Sequence, residues 1–302
     1  MIEIDGGRRR DRPRSVPKLT GDCPRSVPKL MGDCPRSVPP PTRVCPSSDP
    51  GLTLPRPQGV SKDPTLPIAG WEPMSLQDYP GKLAAVVFLQ GCNLSCPWCH
   101  NPKLIPETGT EGSTVYSEEV LLEELRRRWP YLDAVVISGG EPTVHLGLGA
   151  FIRRLHETGF LVKLDTNGFC PEVLEKLVVN KETCPDYVAL DLKGVPGIQE
   201  ILTTQRGKSN LTPHHWDRTL ALFGSTNIPW ELRCTWTGEI SLDDLIQSAM
   251  GVKALLGKAP FFLQNCRAKN PQGLWKNLRS SQEMTFAAGE LNKILDTCRN
   301  RT

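Results

Sequence analysis

The sequence predicts an α/β fold: a largely parallel sheet covered by helices, as a partial or complete β/α barrel or an open doubly wound sheet. Three observations carry this expectation. Six short apolar runs alternate with segments of helical periodicity downstream of residue 67. LAAVVFL and DAVVIS hold apolar residues at consecutive positions, as strands buried on both faces do. Polar, glycine-bearing motifs follow several of the runs, at the carboxyl ends of the expected strands, where β/α folds carry their chemistry.

Residues 1–67 stand apart from that pattern. PRSVPKLTGDC, PRSVPKLMGDC and PRSVPPPTRVC repeat with a period of eleven, beginning at Pro13, Pro24 and Pro35. Half of the chain's 28 prolines lie in this stretch, which excludes helix. With almost no bulky apolar side chains it cannot offset its ordering entropy, so a disordered segment is expected. Cys23, Cys34 and Cys45 recur with the repeat, on a chain that presets no ligand geometry. The folded domain is expected to occupy residues 68–302.

Within it the strand candidates are LAAVVFL (83–89), DAVVIS (133–138), LVKLD (161–165), YVALDL (187–192), WELRCTW (230–236) and FFLQ from Phe261. The helix candidates between them are residues 117–129, 147–159, 171–180, 213–224 and 241–257, with a last helix over 280–300. Ser117 and Ser241 stand where helix N-caps belong.

Composition narrows the function classes. The net charge of +3 is unevenly placed: residues 1–67 hold 12 Lys/Arg against 7 Asp/Glu, and the remainder 24 against 26. The expected folded part is thus nearly neutral, and no basic face argues for nucleic acid. No apolar run approaches the roughly 20 residues of a membrane span, and MIEIDGGRRRDRPRS has no signal-peptide core. Eleven cysteines without an export signal point to a reducing cytoplasm and to metal chemistry.

The metal chemistry centres on GCNLSCPWCHNP, residues 91–102, where Cys92, Cys96 and Cys99 are spaced C-x3-C-x2-C. Structural zinc needs four ligands, and His100 adjoins Cys99 too closely to share one ion comfortably. Three thiolates on one tight loop suit a cubic iron–sulfur cluster with one iron left open to a small molecule. SGGEPT (138–143) follows the second run, DTNG (165–168) ends the third, and Asp191 and Lys193 end the fourth on one face of their strand. A carboxylate in such a place is paired or binds a cation.

The cysteine motif with an aromatic residue before its last cysteine, followed downstream by GGEP, resembles the radical S-adenosylmethionine superfamily. DTNG and DLK resemble its glycyl-radical-enzyme activating group, across roughly residues 68–264. The resemblance implies a partial (β/α)6 barrel. It implies a 4Fe-4S cluster held by Cys92, Cys96 and Cys99, and S-adenosylmethionine chelated to the open iron. Trp98 matches the aromatic beside the adenine and Asn101 an active-site asparagine. Gly139, Gly140 and Glu141 match the segment that receives the cofactor's amino group. Asp165, Thr166 and Asp191 match positions around a monovalent cation, Lys193 a lysine facing the cofactor, and Arg233 a weaker match. The implied activity is reductive cleavage of S-adenosylmethionine to methionine and a 5′-deoxyadenosyl radical, which takes hydrogen from a glycine of a partner enzyme. The implied partners are the large subunit of an anaerobic ribonucleoside-triphosphate reductase and a low-potential donor such as flavodoxin or ferredoxin. Two rival readings are another superfamily enzyme acting on a small molecule and a non-enzymatic iron–sulfur carrier.

Overall fold

The computed structural model describes residues 65–107, 116–193, 213–238, 240–266, 279–295 and 298–301, all within the unit Gly59–Thr302. The eleven-residue repeats lie outside the described residues. Among the described residues the strands are β1 (Ile68–Ser75), β2 (Ala84–Leu89), β3 (Ala134–Gly139), β4 (Leu161–Thr166), β5 (Tyr187–Leu192), β6 (Trp230–Trp236), β7 (Phe261–Asn265) and β8 (Cys298–Arg301). The helices are α1 (Glu118–Arg128), α2 (Leu148–Thr158), α3 (Pro171–Val179), α4 (Pro213–Ser225), α5 (Leu242–Leu256) and α6 (Ser281–Asn292).

The strands form one sheet in chain order, β1 to β8. β1 is antiparallel to β2, and every later neighbour is parallel. Because the order never reverses, each right-handed crossover lays its helix on the same face. That rules out the doubly wound alternative, whose order reverses at a switch point. The fold is a partial β/α barrel, with helices outside and one sheet face inside.

The two faces differ as the two-residue strand period requires. Val188, Leu190 and Leu192 of β5 and Trp230, Leu232, Cys234 and Trp236 of β6 join the large core with the helices. Each fully buried Leu or Phe there contributes about 1.5–3 kcal/mol. At one end of the other face, Tyr79, Ala84, Val86, Ala134 and Val136 form a small apolar cluster. Further along that face the residues become charged.

Two strands escaped the sequence reading. β1 contains Gly70 and Pro73, which argue against a central strand, but it is an antiparallel edge with register shifts around both residues, where they are tolerated. The helix expected over 280–300 ends at Asn292, and Cys298–Arg301 instead pair with β7 as β8. Caps at the helix starts follow expectation in part. The Ser241 hydroxyl accepts from Asp244 N at 3.1 Å, and Ser280 with Glu283 closes a capping box on α6. Ser117 makes no cap bond; its hydroxyl donates to Glu119 at 2.9 Å. No helix among the described residues is long and apolar enough to cross a membrane.

Candidate metal and cofactor site

The loops after β2, β3 and β4 and the ends of β5 and β6 enclose a cavity of about 190 Å³. It gathers Cys92, Cys96, Trp98, Cys99 and Asn101 from the first loop and Gly139, Gly140 and Glu141 from the second. Asp165 and Thr166 of β4, Asp191 of β5 and Lys193 beyond it complete the wall. Residues far apart in the chain thus reach one space only through the sheet. Arg233 stands behind this wall, bonded to both aspartates.

The cysteine loop is pinned at its base. Gly91 N donates to Leu104 O at 2.8 Å and Cys92 N to Ile105 O at 3.1 Å. The Gln90 amide donates to Lys103 O at 2.9 Å and to Pro106 O at 2.7 Å. Together they return the chain and leave a lobe that carries the three thiols. Trp98 is buried within it, whereas Asn101 lies exposed at its exit. Burial pushes the Cys92 thiol up to about 12 and Cys96 up to about 11. A coordinating metal removes that cost, since a ligating thiol is deprotonated outright. Among the described residues no three His, Cys, Asp or Glu side chains converge tightly enough for a single metal ion. Three thiols on one lobe suit a multi-iron cluster better than a structural zinc ion, which takes four ligands.

The glycines of GGEP line the cavity and are also packed against the protein's own backbone. A side-chain carbon on Gly139, whose φ is +122°, would lie 2.2 Å from Leu89 N, and one on Gly140 would lie 2.0 Å from Gly91 O. Gly140 N donates to Leu89 O and Glu141 N to Gly91 O, both at 2.8 Å. The GGEP turn is therefore packed directly onto the base of the cysteine loop.

Glu141 is almost wholly buried. Its Oε1 accepts from Thr143 N at 3.1 Å, from the Thr143 hydroxyl and from the Thr166 hydroxyl at 2.7 Å, and its Oε2 accepts from Asn167 N at 2.7 Å. Burial raises its pKa, and these donors oppose the rise. Asn167, which sequence reasoning passed over, also donates its amide to Asn93 Oδ1 at 2.7 Å. Asn93 lies inside the cysteine motif, so one residue ties the TNG loop to both others.

The carboxylates expected at the strand ends are each held on both oxygens. Lys163 meets Asp165 Oδ1 at 2.5 Å and Arg233 Nη1 meets Asp165 Oδ2 at 3.1 Å. Arg233 Nε meets Asp191 Oδ1 at 2.6 Å and Lys193 meets Asp191 Oδ2 at 2.8 Å. Burial opposes charge on Asp191, but Arg233 and Lys193 outweigh it and hold the carboxyl well below the usual range. Asp165 is lowered in the same way, with Arg233 and Lys163 overcoming burial. Lys163, fully buried, was another missed residue. It alternates with Asp165 as Asp191 does with Lys193, so the same two-residue argument reaches it.

The comparisons with known proteins point one way. A family model described as the Radical SAM superfamily matches residues 86–229. A candidate glycyl-radical enzyme activating enzyme of Methanocaldococcus jannaschii is 46% identical over 127 residues, 42% of this chain and 50% of that protein. The pyruvate formate-lyase-activating enzyme of Clostridium pasteurianum is 37% identical over 142 residues, 45% of this chain and 56% of that protein. This chain spans about half the length of the curated relatives it matches. Among solved structures, a radical SAM methyltransferase from Sphaerobacter thermophilus superposes with a TM-score of 0.56 at 15% identity, over 74% of this chain and 67% of that one, which supports the fold. The cysteine lobe, the GGEP turn and the strand-end aspartates all lie inside the segment, residues 86–229, that is similar to the Radical SAM superfamily.

Proposed function

We propose that this chain is a glycyl-radical-enzyme activating enzyme whose partner is the large subunit of an anaerobic ribonucleoside-triphosphate reductase. One observation carries the reading: the three thiols line the same cavity as Asp165, Asp191 and Lys193. The similarity to activating enzymes supports the choice of class.

Cys92, Cys96 and Cys99 would hold the 4Fe-4S cluster, and Trp98, Gly139, Gly140, Glu141 and Thr166 would shape the pocket for S-adenosylmethionine. When bound, a reduced cluster supplies the electron that cleaves the sulfonium to methionine and a 5′-deoxyadenosyl radical. The chain's own residues orient and enclose. Glu141 and Asn167 fix the three loops against one another, and Lys193 offers positive charge at the cavity wall toward the cofactor's carboxylate. Asn101, exposed at the lip, would border the cofactor pocket that it lines. The electron comes from a low-potential donor such as flavodoxin or ferredoxin.

The test mixes reduced, iron-reconstituted protein, S-adenosylmethionine and candidate glycyl radical enzymes. A doublet paramagnetic resonance signal on the reductase, with methionine and 5′-deoxyadenosine formed, is the expected result. The Cys96→Ala variant should bind no cluster and give no signal. A response from a different glycyl radical enzyme would correct the partner, and consumption of a small molecule without any protein radical would overturn the class.

A further inference from the structure

The sequence resemblance implies a monovalent cation among Asp165, Thr166 and Asp191, and the residues present do not fit one. We propose that Arg233 is this chain's built-in counter-cation: its guanidinium bridges the two aspartates where an ion would have to lie, so the site neither needs nor binds a monovalent ion.

The argument begins with the oxygens. Asp165 Oδ2 and Asp191 Oδ1, one from each carboxylate, are both taken by Arg233, at 3.1 Å and 2.6 Å. The remaining oxygen of each faces its own lysine, at 2.5 Å for Lys163 and 2.8 Å for Lys193. The third expected ligand is also committed, since the Thr166 hydroxyl donates to Glu141 at 2.7 Å and accepts from Gly168 N at 3.1 Å.

Charge balance completes it. Glu231 lies on the same face of β6 two residues before Arg233, is 1% exposed, and accepts from the Tyr187 hydroxyl at 3.0 Å. Counting it, Lys163, Lys193 and Arg233 stand against Asp165, Asp191 and Glu231, a formally neutral group, while buried Glu141 beyond them is held by Thr143, Thr166 and Asn167 donors. An added cation would bring an uncompensated charge into a largely buried site, which is costly. Removing Arg233 reverses the sign. It leaves one net negative charge and two carboxylate oxygens facing the same gap, the requirement of a single monovalent ion. Register makes the bridge available, because Asp191 pairs with Arg233 across β5 and β6 while Asp165 pairs with Ala189, whose small side chain leaves the path open.

The proposal rests on the cofactor reading for its meaning, but its test needs neither S-adenosylmethionine nor a partner, so the two can fail separately. The full chain is melted in sodium, potassium and choline chloride at equal ionic strength, and thallium(I) resonance is followed on titration. The wild type is expected to melt alike in all three salts and to leave the thallium line unbroadened. Arg233→Met is expected to melt lower in choline, to regain several degrees in sodium or potassium, and to broaden the thallium line in a manner that potassium reverses. Arg233→Lys keeps the charge without the bidentate bridge and should gain no ion binding. Saturable, potassium-displaceable thallium binding by the wild type overturns the proposal, and that measurement stands even if the methionine variant does not fold. A folded methionine variant that stays indifferent to the ion overturns it as well.

Discussion

Gly140 shows what single residues decide in this molecule. Its backbone is not in a left-handed conformation, so any L-residue could adopt its dihedrals, yet no side chain fits. A methyl group there would lie 2.0 Å from Gly91 O, and that oxygen is held by Glu141 N at 2.8 Å. The neighbour is backbone and cannot swing aside without moving the base of the cysteine lobe. Gly140→Ala should therefore cost about 3 kcal/mol, at the upper end for overpacking. It should also lower the iron bound per chain after reconstitution. Gly251, inside α5, is the control, because a methyl group added there would meet nothing within 4 Å. Its replacement by Ala should stabilise by about 0.5–1 kcal/mol through helix propensity. Urea unfolding and iron content of the two variants check both, and equal effects would refute the steric account.

At the scale of elements, a staple joins the end of α2 to the strands behind it. His156 Nδ1 faces Glu182 O at 2.9 Å and its Nε2 faces Asp186 Oδ2 at 3.1 Å. Asp186 Oδ2 also accepts from Val162 N at 2.8 Å, which fixes the start of β4. Both ring nitrogens meet acceptors, so only the imidazolium satisfies both. The hydrogen bond to Asp186 raises the His156 pKa above its ordinary value, against burial. A raised histidine pKa gives stability that is complete below the unfolded value of about 6.5. That stability is lost as pH rises through the folded value. Asp186 is lowered, chiefly by His156 against burial, so its share is lost in acid instead. The pair is partly exposed, and screening limits it to about 1 kcal/mol or less. His156→Gln should thus destabilise more at pH 6 than at pH 9. A loss independent of pH would reduce the contact to packing alone.

For the whole molecule, the question is where the fold begins. Leu66, upstream of the expected domain start, is 3% exposed and belongs to the large core. Its N–H donates to Glu118 Oε2 at 3.1 Å, and Pro67 O accepts from Gln90 N at 2.8 Å. A chain starting at residue 65 should keep its unfolding midpoint and its full iron content. One starting at residue 68 should lose about 3 kcal/mol, the cost of a deleted core leucine and its bonds. Equal unfolding of the two truncations would count against the place of Leu66 in the core. Loss of iron at the first cut would move cluster ligands into the repeats.

The sequence alone determined the period of the elements and the chemistry of their ends. Apolar residues at consecutive or alternate positions named β2 through β7, because at least the helix-facing side of each strand must be apolar. The C-x3-C-x2-C spacing named the three thiols, because local chain geometry brings such near neighbours together. Tertiary structure decided everything that depends on which distant groups meet. β1 and β8 are strands because edges at the sheet's two ends accept residues with weak intrinsic preference. Gly139 and Gly140 are small because β2 and the cysteine loop press on them, a constraint no local pattern contains. Asp165 and Asp191 were legible as paired or ion-binding carboxylates. Lys163 and Lys193 follow from the two-residue period of their own strands, whereas Arg233 as the shared counter-charge follows from strand register across β4, β5 and β6. A partner on a neighbouring strand is fixed by register, and in a parallel sheet that strand is a crossover away along the chain.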